Sequence, residues 1–430
     1  MDSTYIGTID QGTTGTRFMV FDHDGTVVAH AHESHERYTP GLSLAEHDAA
    51  GIWESTKTVV DRALVGAGID AEQLAAIGIA NQRETTVLWD AATGEPVHNA
   101  IGWQDRRTSD RIEALEDAGA GEQISEITGL HPDAYFSATK VEWLLEHADP
   151  DDHDDRSVRE RAAAGDVLMG TIDSWLVFNL TGEHVTDVTN ASRTMLFDIE
   201  AMEWSDDLLA EFDVPRAMLP EVRPSSDEAS YGHTDPAGFL GAAVPVTAAL
   251  GDQQAALFGQ ACFQRGEAKN TYGTGSFFLM NTGEERIDSE NGLLSTVAFQ
   301  RSGEPVEYAL EGAIFATGAA LEWLEDVSLV EDPTEIARLA RSVDSTDGVY
   351  VVPAFSGLGA PHWDSRARGT IVGLTRDTRR EHVVRATLES IAFRTRDVAT
   401  AMEADADVDI DELRVDGGAV KNNFLCQLQA

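Results

Sequence analysis

The stretch YIGTIDQGTTGTRFMVFDHDGTVVAHA, residues 5–31, reads as strand, Gly/Thr-rich turn, strand, Asp-Gly turn and strand. Its first turn, Asp10-Gln11-Gly12-Thr13-Thr14-Gly15-Thr16-Arg17, carries residue types that suit a phosphate. Glycines let the backbone approach phosphate oxygens, and threonine hydroxyls and amides can donate to them. Asp10 can hold a hydrated Mg²⁺, and Arg17 can neutralise charge. Taken alone, the segment reads equally well as an ordinary β-hairpin turn. The other familiar nucleotide grips are absent: no glycine precedes any of the four lysines, no GxGxxG opens a helix, and neither DFG nor HRD occurs.

Outward from this hairpin, strands alternate with helices. Helical periodicity spans Ala49 to Ala67, and a strand from Ala76 to Ala80 ends at Asn81-Gln82-Arg83-Glu84. An apolar strand from Val244 to Leu250 runs into Gly251-Asp252 and the helix QQAALFGQACF. This alternation predicts an α/β architecture. The second half repeats the plan: LEGAIFATGAALEWLED is a turn feeding a helix, and LRVDGGAVKNNFLCQLQA is strand, Asp-x-Gly, then helix. A second phosphate-suited turn lies at Asn270-Thr271-Tyr272-Gly273-Thr274-Gly275-Ser276, and Ile9-Asp10-Gln11-Gly12 has a weak echo in Val415-Asp416-Gly417-Gly418. The expected division is two domains facing a shared cleft, residues 1–255 and 256–430.

The 430 residues carry 31 basic and 75 acidic side chains, a formal net charge of −44. That charge argues against nucleic acid as a partner, since phosphate backbones need basic patches. Lysine occurs only at Lys57, Lys140, Lys269 and Lys421. An acidic, lysine-poor surface suits high salt, where the Debye length falls to about 3 Å at 1 M and self-repulsion is screened. Two cysteines without CxxC spacing point to a reducing compartment, and there is no signal-peptide pattern or membrane-length apolar run, so a soluble cytoplasmic protein is expected. DPDDHDDR, Asp149 to Arg156, lacks the glycine and terminal glutamate of an EF-hand loop and reads as a solvated acidic loop. His30, His32 and His35 have no evident fourth ligand and read as solvent-facing strand histidines.

Beyond single turns, DQGTTGTR, NQRETT, GWQDRR, TDVTNASRTMLFD, GDQQAALFGQ, NTYGTGSFFLMNTG, GLGAPHWDSRARGTIVGLTR and DGGAVKNNFL occur in the order found in FGGY carbohydrate kinases, and FSATKVEWLL is similar to a signature of that family. The chain resembles the family from residue 5 to its end, and most closely its glycerol-phosphorylating members. The resemblance implies an actin-like ATPase fold, two ribonuclease-H-like domains around a central cleft, with the polyol and phosphates on the N-terminal domain and the nucleotide on the C-terminal one. It implies glycerol contacts at Arg83, Glu84, Trp103, Tyr135, Asp252, Gln253 and Phe277, and Asp252 as general base. It places ATP phosphates on Thr13, Thr14, Gly15, Arg17 and Thr274, the nucleoside near Gly318, Gly418 and Asn422, and Mg²⁺ near Asp10. A homo-oligomer, dimer or tetramer, is also implied. Chemically, three hydroxyls on a thin hydrocarbon spine call for fixed hydrogen-bonding groups and an aromatic wall.

The sequence also departs from the family. Gly15 stands where serine is common, and Glu322 where a glutamine is familiar. GHTDPAGFLGAAVPV, after Tyr231, lacks the Gly-Arg loop that binds fructose 1,6-bisphosphate in regulated bacterial relatives, which speaks against that regulation. Family members usually continue past FLCQLQA, so the C-terminal domain is expected to lack its end. Read as residues alone, Arg83-Glu84 could be an exposed ion pair, Trp103, Tyr135 and Phe277 core aromatics, and Asp252 a helix cap. A kinase of another polyol or pentulose, and a non-enzymatic actin-like ATPase module, stay open as alternatives at this level.

Overall fold

The computed structural model describes residues 5–41, 43–148, 155–228, 231–364 and 366–430; the acidic stretch 149–154 lies outside the described residues. The chain forms two compact units, Met1–Ala255 with Thr296–Val306, and Ala256–Ser295 with Glu307–Ala430.

The first unit is built on β1 (Tyr5–Gln11), β2 (Gly15–Asp22) and β3 (Val27–Ser34), followed by α1 (Ala49–Ala67), β4 (Leu74–Asn81), the short helix α2 (Val188–Ala191), β5 (Val246–Gly251) and α3 (Asp252–Gly259). Its five-stranded sheet has the order β5-β4-β1-β2-β3. Helix α1 forms because Ile52, Val59, Val60, Ala63 and Leu64 recur on one face and bury there, and it stops at Gly68, whose φ of 68° suits glycine. Strands β1, β4 and β5 run parallel, and their register puts Gln11 opposite Asn81 and Asn81 opposite Gly251. Three carboxyl ends of strands therefore lie side by side, the place where open α/β sheets gather ligand-binding residues.

In the second unit, β6 (Ala268–Tyr272), β7 (Ser276–Gly283), β8 (Glu307–Ile314) and β9 (Leu413–Asp416) lie in the order β8-β7-β6-β9. Helix α4 (Gly318–Asp326) follows β8, and α5 (Arg380–Ala406) buries Val384, Leu388, Ile391, Val398 and Met402, spaced three, four or seven apart, in line with a helical face. The two sheets share a plan. Each begins with an antiparallel hairpin, β1-β2 and β6-β7, whose first strand also pairs in parallel with a later strand, β4 or β9. This corrects the echo expected from sequence. Asp10 lies on a hairpin strand, whereas Asp416 lies on the parallel neighbour, opposite Thr271. The counterpart of the DQGTTG turn is the turn from Tyr272 to Ser276, and the counterpart of the Asp416-Gly417 end is Asn81.

Candidate active site

Past the end of β4 the chain turns sharply through Arg83 and Glu84. Glu84 takes a φ of 62°, the left-handed region that costs a non-glycine residue roughly 1–2 kcal/mol. Its surroundings hold it there: Ser137 Oγ and Thr86 Oγ1 each donate to its carbonyl at 3.0 Å, and Arg193 Nε donates to its Oε1 at 2.8 Å. The Arg83 and Glu84 side chains are each 1% exposed, so this is no surface ion pair. Arg83 Nη1 donates to Gln254 Oε1 at 3.2 Å, Nη2 donates to the Tyr135 hydroxyl at 3.3 Å, and Nε lies 3.5 Å from Asp252 Oδ1. A Cβ at Gly251 would meet Arg83 Cγ and Cδ at 2.7 Å, so glycine there lets the guanidinium cross in front of β5.

Asp252 begins α3 with its carboxylate 34% exposed, beside a fully buried cation. Gln253 is buried next to it. Trp103 Nε1 donates to Thr13 Oγ1 at 2.9 Å, and its ring meets that of Tyr135 edge-on, with centroids 5.7 Å apart. The first unit thus brings Arg83, Glu84, Trp103, Tyr135 and Asp252 into one connected group. Beneath them, the buried Lys140 ammonium donates to the carbonyls of Tyr135 and Phe136, at 2.5 and 3.0 Å; burial pushes its pKa down to about 7.

The phosphate-suited turn joins β1 and β2, closed by Gly12 N–H donating to Gly15 O at 2.9 Å. It is buttressed by His35, whose backbone N–H donates to Thr14 O and whose Nε2 lies 3.2 Å from Thr13 O. Asp10 sits opposite Arg17, carboxylate and guanidinium 3.6 Å apart; burial raises the Asp10 pKa and Arg17 opposes it. Gly15 is enforced by its neighbour strand. A Cβ there would lie 2.7 Å from the Glu33 carbonyl oxygen and 2.5 Å from His32 Nε2, leaving no room for serine. His30 and His32 are exposed on β3. Among the described residues no group of three or more His, Cys, Asp or Glu could hold a metal. A single half-buried carboxylate fits Mg²⁺ held mainly through water and phosphate oxygens, not in a protein cage.

In the second unit, Thr274 and Gly318 are brought together. The N–H groups of Thr317 and Ala319 donate to Thr274 O at 2.9 and 3.0 Å, and Gly318 N–H donates to Gly273 O at 2.9 Å. Gly417, at φ 96°, packs on Tyr272 so closely that a Cβ would sit 2.3 Å from its carbonyl oxygen, which sets Gly418 beside the end of β6. Asn422 Oδ1 caps the last helix, Asn423–Gln429, accepting from the N–H groups of Phe424 and Leu425. Phe277 is half-buried on β7, between Thr271 and Ala313 in register. Glu322 lies one turn after Gly318 on α4.

The sequence matches the N-terminal domain of the FGGY family of carbohydrate kinases over residues 5–259 and the C-terminal domain over residues 268–430. The chain belongs to the FGGY family of carbohydrate kinases. It is 69% identical to the glycerol kinase of Haloferax volcanii, over 99% of this chain and 84% of that protein. It is 68% identical to the glycerol kinase of Halobacterium salinarum, over 100% of this chain and 85% of that one. Among solved structures, the Plasmodium falciparum glycerol kinase with ADP is similar at a TM-score of 0.89 and 35% identity, covering 100% of this chain and 85% of its own. The fold is that of the actin-like ATPases.

Three features of this candidate site escape motif reading. Arg193 lies in TDVTNASRTMLFD, Gln254 in GDQQAALFGQ and Lys140 in FSATKVEWLL, yet nothing in those strings says which residue reaches which. A buried cation beside Glu84 could have been inferred only from the need to pair a buried carboxylate.

Proposed function

We propose that the protein transfers the γ-phosphoryl group of ATP to a terminal hydroxyl of glycerol, releasing sn-glycerol 3-phosphate and ADP. The observation that carries the reading is Asp252, a part-exposed carboxylate beside buried Arg83 at the ends of adjoining parallel strands. Identity of 69% to a glycerol kinase over nearly the whole chain supports it.

Glycerol lies against Arg83, Glu84, Trp103, Tyr135, Gln253 and Phe277. The buried guanidinium and carboxylate give fixed donors and acceptors, and the aromatic rings cover the C–H edge. A three-carbon chain suits this better than a pentulose, because Trp103 and Tyr135 close one side of the group edge to face. Asp252 accepts the proton of the attacking hydroxyl as its oxygen bonds to the γ-phosphorus. The bond from that phosphorus to the bridging oxygen breaks, and ADP leaves. Such transfer depends mainly on positioning and charge stabilisation. Thr13, Thr14, Gly15 and Arg17, with Thr274, receive the phosphates; Gly318, Gly418 and Asn422 serve the nucleoside. Mg²⁺, held near Asp10, supplies charge neutralisation on the phosphates when bound.

The reading extends to a cytoplasmic enzyme acting as a homo-oligomer, dimer or tetramer. Both cysteines, Cys262 and Cys426, are free thiols, in keeping with a reducing compartment. No helix among the described residues is long and apolar enough to cross a membrane. Phosphorus NMR of the product formed from Mg-ATP and glycerol tests the reaction. A glycerol 3-phosphate resonance is expected, and inorganic phosphate as the sole product would overturn it.

A further inference from the structure

The segment TDVTNASR, between Thr186 and Arg193, is buried throughout and touches both strand ends that carry the site. Asp187 caps α2, accepting from the backbone N–H groups of Thr189 and Asn190 at 2.9 and 2.8 Å. It also accepts from three side chains: Thr189 Oγ1 at 2.9 Å, Asn190 Nδ2 at 2.8 Å and Ser225 Oγ at 2.8 Å. Those first two side chains reach outward. Thr189 Oγ1 accepts the Gly251 N–H at 2.9 Å, one residue before Asp252. Asn190 and Asn81 exchange amide hydrogen bonds at 2.9 and 3.1 Å, and Asn81 Nδ2 also donates to the Gln82 carbonyl, directly before Arg83.

We infer that Asp187 is a positioning residue for phosphoryl transfer, bracing through Thr189 the strand end that carries Asp252 and through Asn190 the strand end that carries Arg83 and Glu84. The inference rests on the reading of Asp252 as general base. A helix cap needs only the two backbone bonds. Asp187 does more: its carboxylate turns the Thr189 hydroxyl so that its lone pairs face Gly251, and turns the Asn190 amide toward Asn81. A second buried carboxylate, Asp173, accepts from Thr171 and Thr186 close by, and burial together with Asp173 pushes Asp187 up to about 6. Keeping two acids in a dry interior is costly, which a cap for a four-residue helix does not require.

The two arms predict different kinetic signatures. Thr189→Val removes the hydroxyl at nearly constant volume and should lower kcat by on the order of 10- to 100-fold, with the KM for ATP unchanged. Thr189→Ser restores the hydroxyl and should return kcat to within about threefold of the unaltered protein. Asn190→Ala, which cuts the other arm, should raise the KM for glycerol, and Asp187→Asn should do both. Equal kcat for the valine and serine variants, measured per folded molecule by active-site titration, would overturn the inference. If Thr189→Val does not fold, Thr189→Ala against Thr189→Ser gives the same comparison. Asp252→Asn serves as the control. If it keeps turnover while Thr189→Val loses it, the assignment of the base fails; if it loses turnover while Thr189→Val is normal, the brace fails.

Discussion

Asp252 Oδ1 lies 3.5 Å from Arg83 Nε, with the carboxylate one-third exposed at 34% and the guanidinium buried at 1%. The pair is asymmetric in a useful way, because the cation is fixed by Gln254 and Tyr135 while the acid keeps an open side. Asp252→Asn keeps the shape and removes the basicity. General-base catalysis is worth roughly 10²- to 10⁴-fold, so kcat should fall by about that much. ATP affinity, measured by calorimetry, should stay the same, and a loss of less than about tenfold would exclude the role.

Tyr135 supplies both a ring edge against Trp103 and the hydroxyl that receives Arg83 Nη2. Tyr135→Phe leaves the ring and removes one hydrogen bond to a charged group, worth about 1.5–3 kcal/mol when buried. The expected result is a rise in glycerol KM of about tenfold or more, with the KM for ATP unaffected. Steady-state kinetics with each substrate varied in turn checks this.

Gly15 offers a test of why this turn takes glycine and not serine. With a Cβ placed 2.7 Å from the Glu33 carbonyl oxygen, Gly15→Ser must push β3 away or distort the turn. Overpacking of this kind costs about 1–3 kcal/mol, so the melting temperature should drop by several degrees. A variant as stable as the original would show that β3 yields freely at His32.

How much of this was legible in sequence differs from element to element. Helix α1 begins at Ala49 and ends at Ala67, as the apolar spacing predicts, because its period is set locally and Gly68 ends it. The hairpin at residues 5–22 was equally readable from its turn residues. The internal repeat was visible, but its register was not. Val415-Asp416-Gly417 looks like Ile9-Asp10-Gln11-Gly12 in letters, yet strand pairing, a long-range property, equates it with Asn81. At the site, Arg83, Glu84 and Asp252 stood out as polar residues following apolar strands. Arg193 and Thr189 did not, since their partners are 109 and 62 positions away in the chain.

His47 sets a pH dependence whose sign can be worked out. Its ring is 1% exposed, neither ring nitrogen has a hydrogen-bond partner, and burial, aided by His35 and Arg37, pushes its pKa from 6.5 to about 4. Between those values the unfolded chain binds the proton and the folded chain does not, so stability is full above about 6.5 and is lost as pH falls toward 4. The loss amounts to about 3 kcal/mol. Asp187, pushed up to about 6, acts oppositely and gains stability on acidification, so the two partly offset. His47→Leu should therefore lose less melting temperature than the original between neutral pH and pH about 4.5. Identical slopes in the two proteins would show that His47 takes up a proton without unfolding.

A net charge of −44 should make the fold depend on salt. Screening at molar KCl shortens the Debye length to about 3 Å and weakens repulsion among the surface carboxylates. Calorimetric melting temperature should climb steadily from dilute buffer to molar KCl. A flat profile would mean that the acidic surface contributes nothing to salt tolerance.

The most direct measurement is ADP release from Mg-ATP in molar KCl, with glycerol, with xylulose and other polyols, and with no acceptor. Release is expected to depend on glycerol, to saturate with it, and to be far slower with the larger acceptors. Release that is the same with and without glycerol would contradict that expectation, leaving an actin-like ATPase with no transferase chemistry.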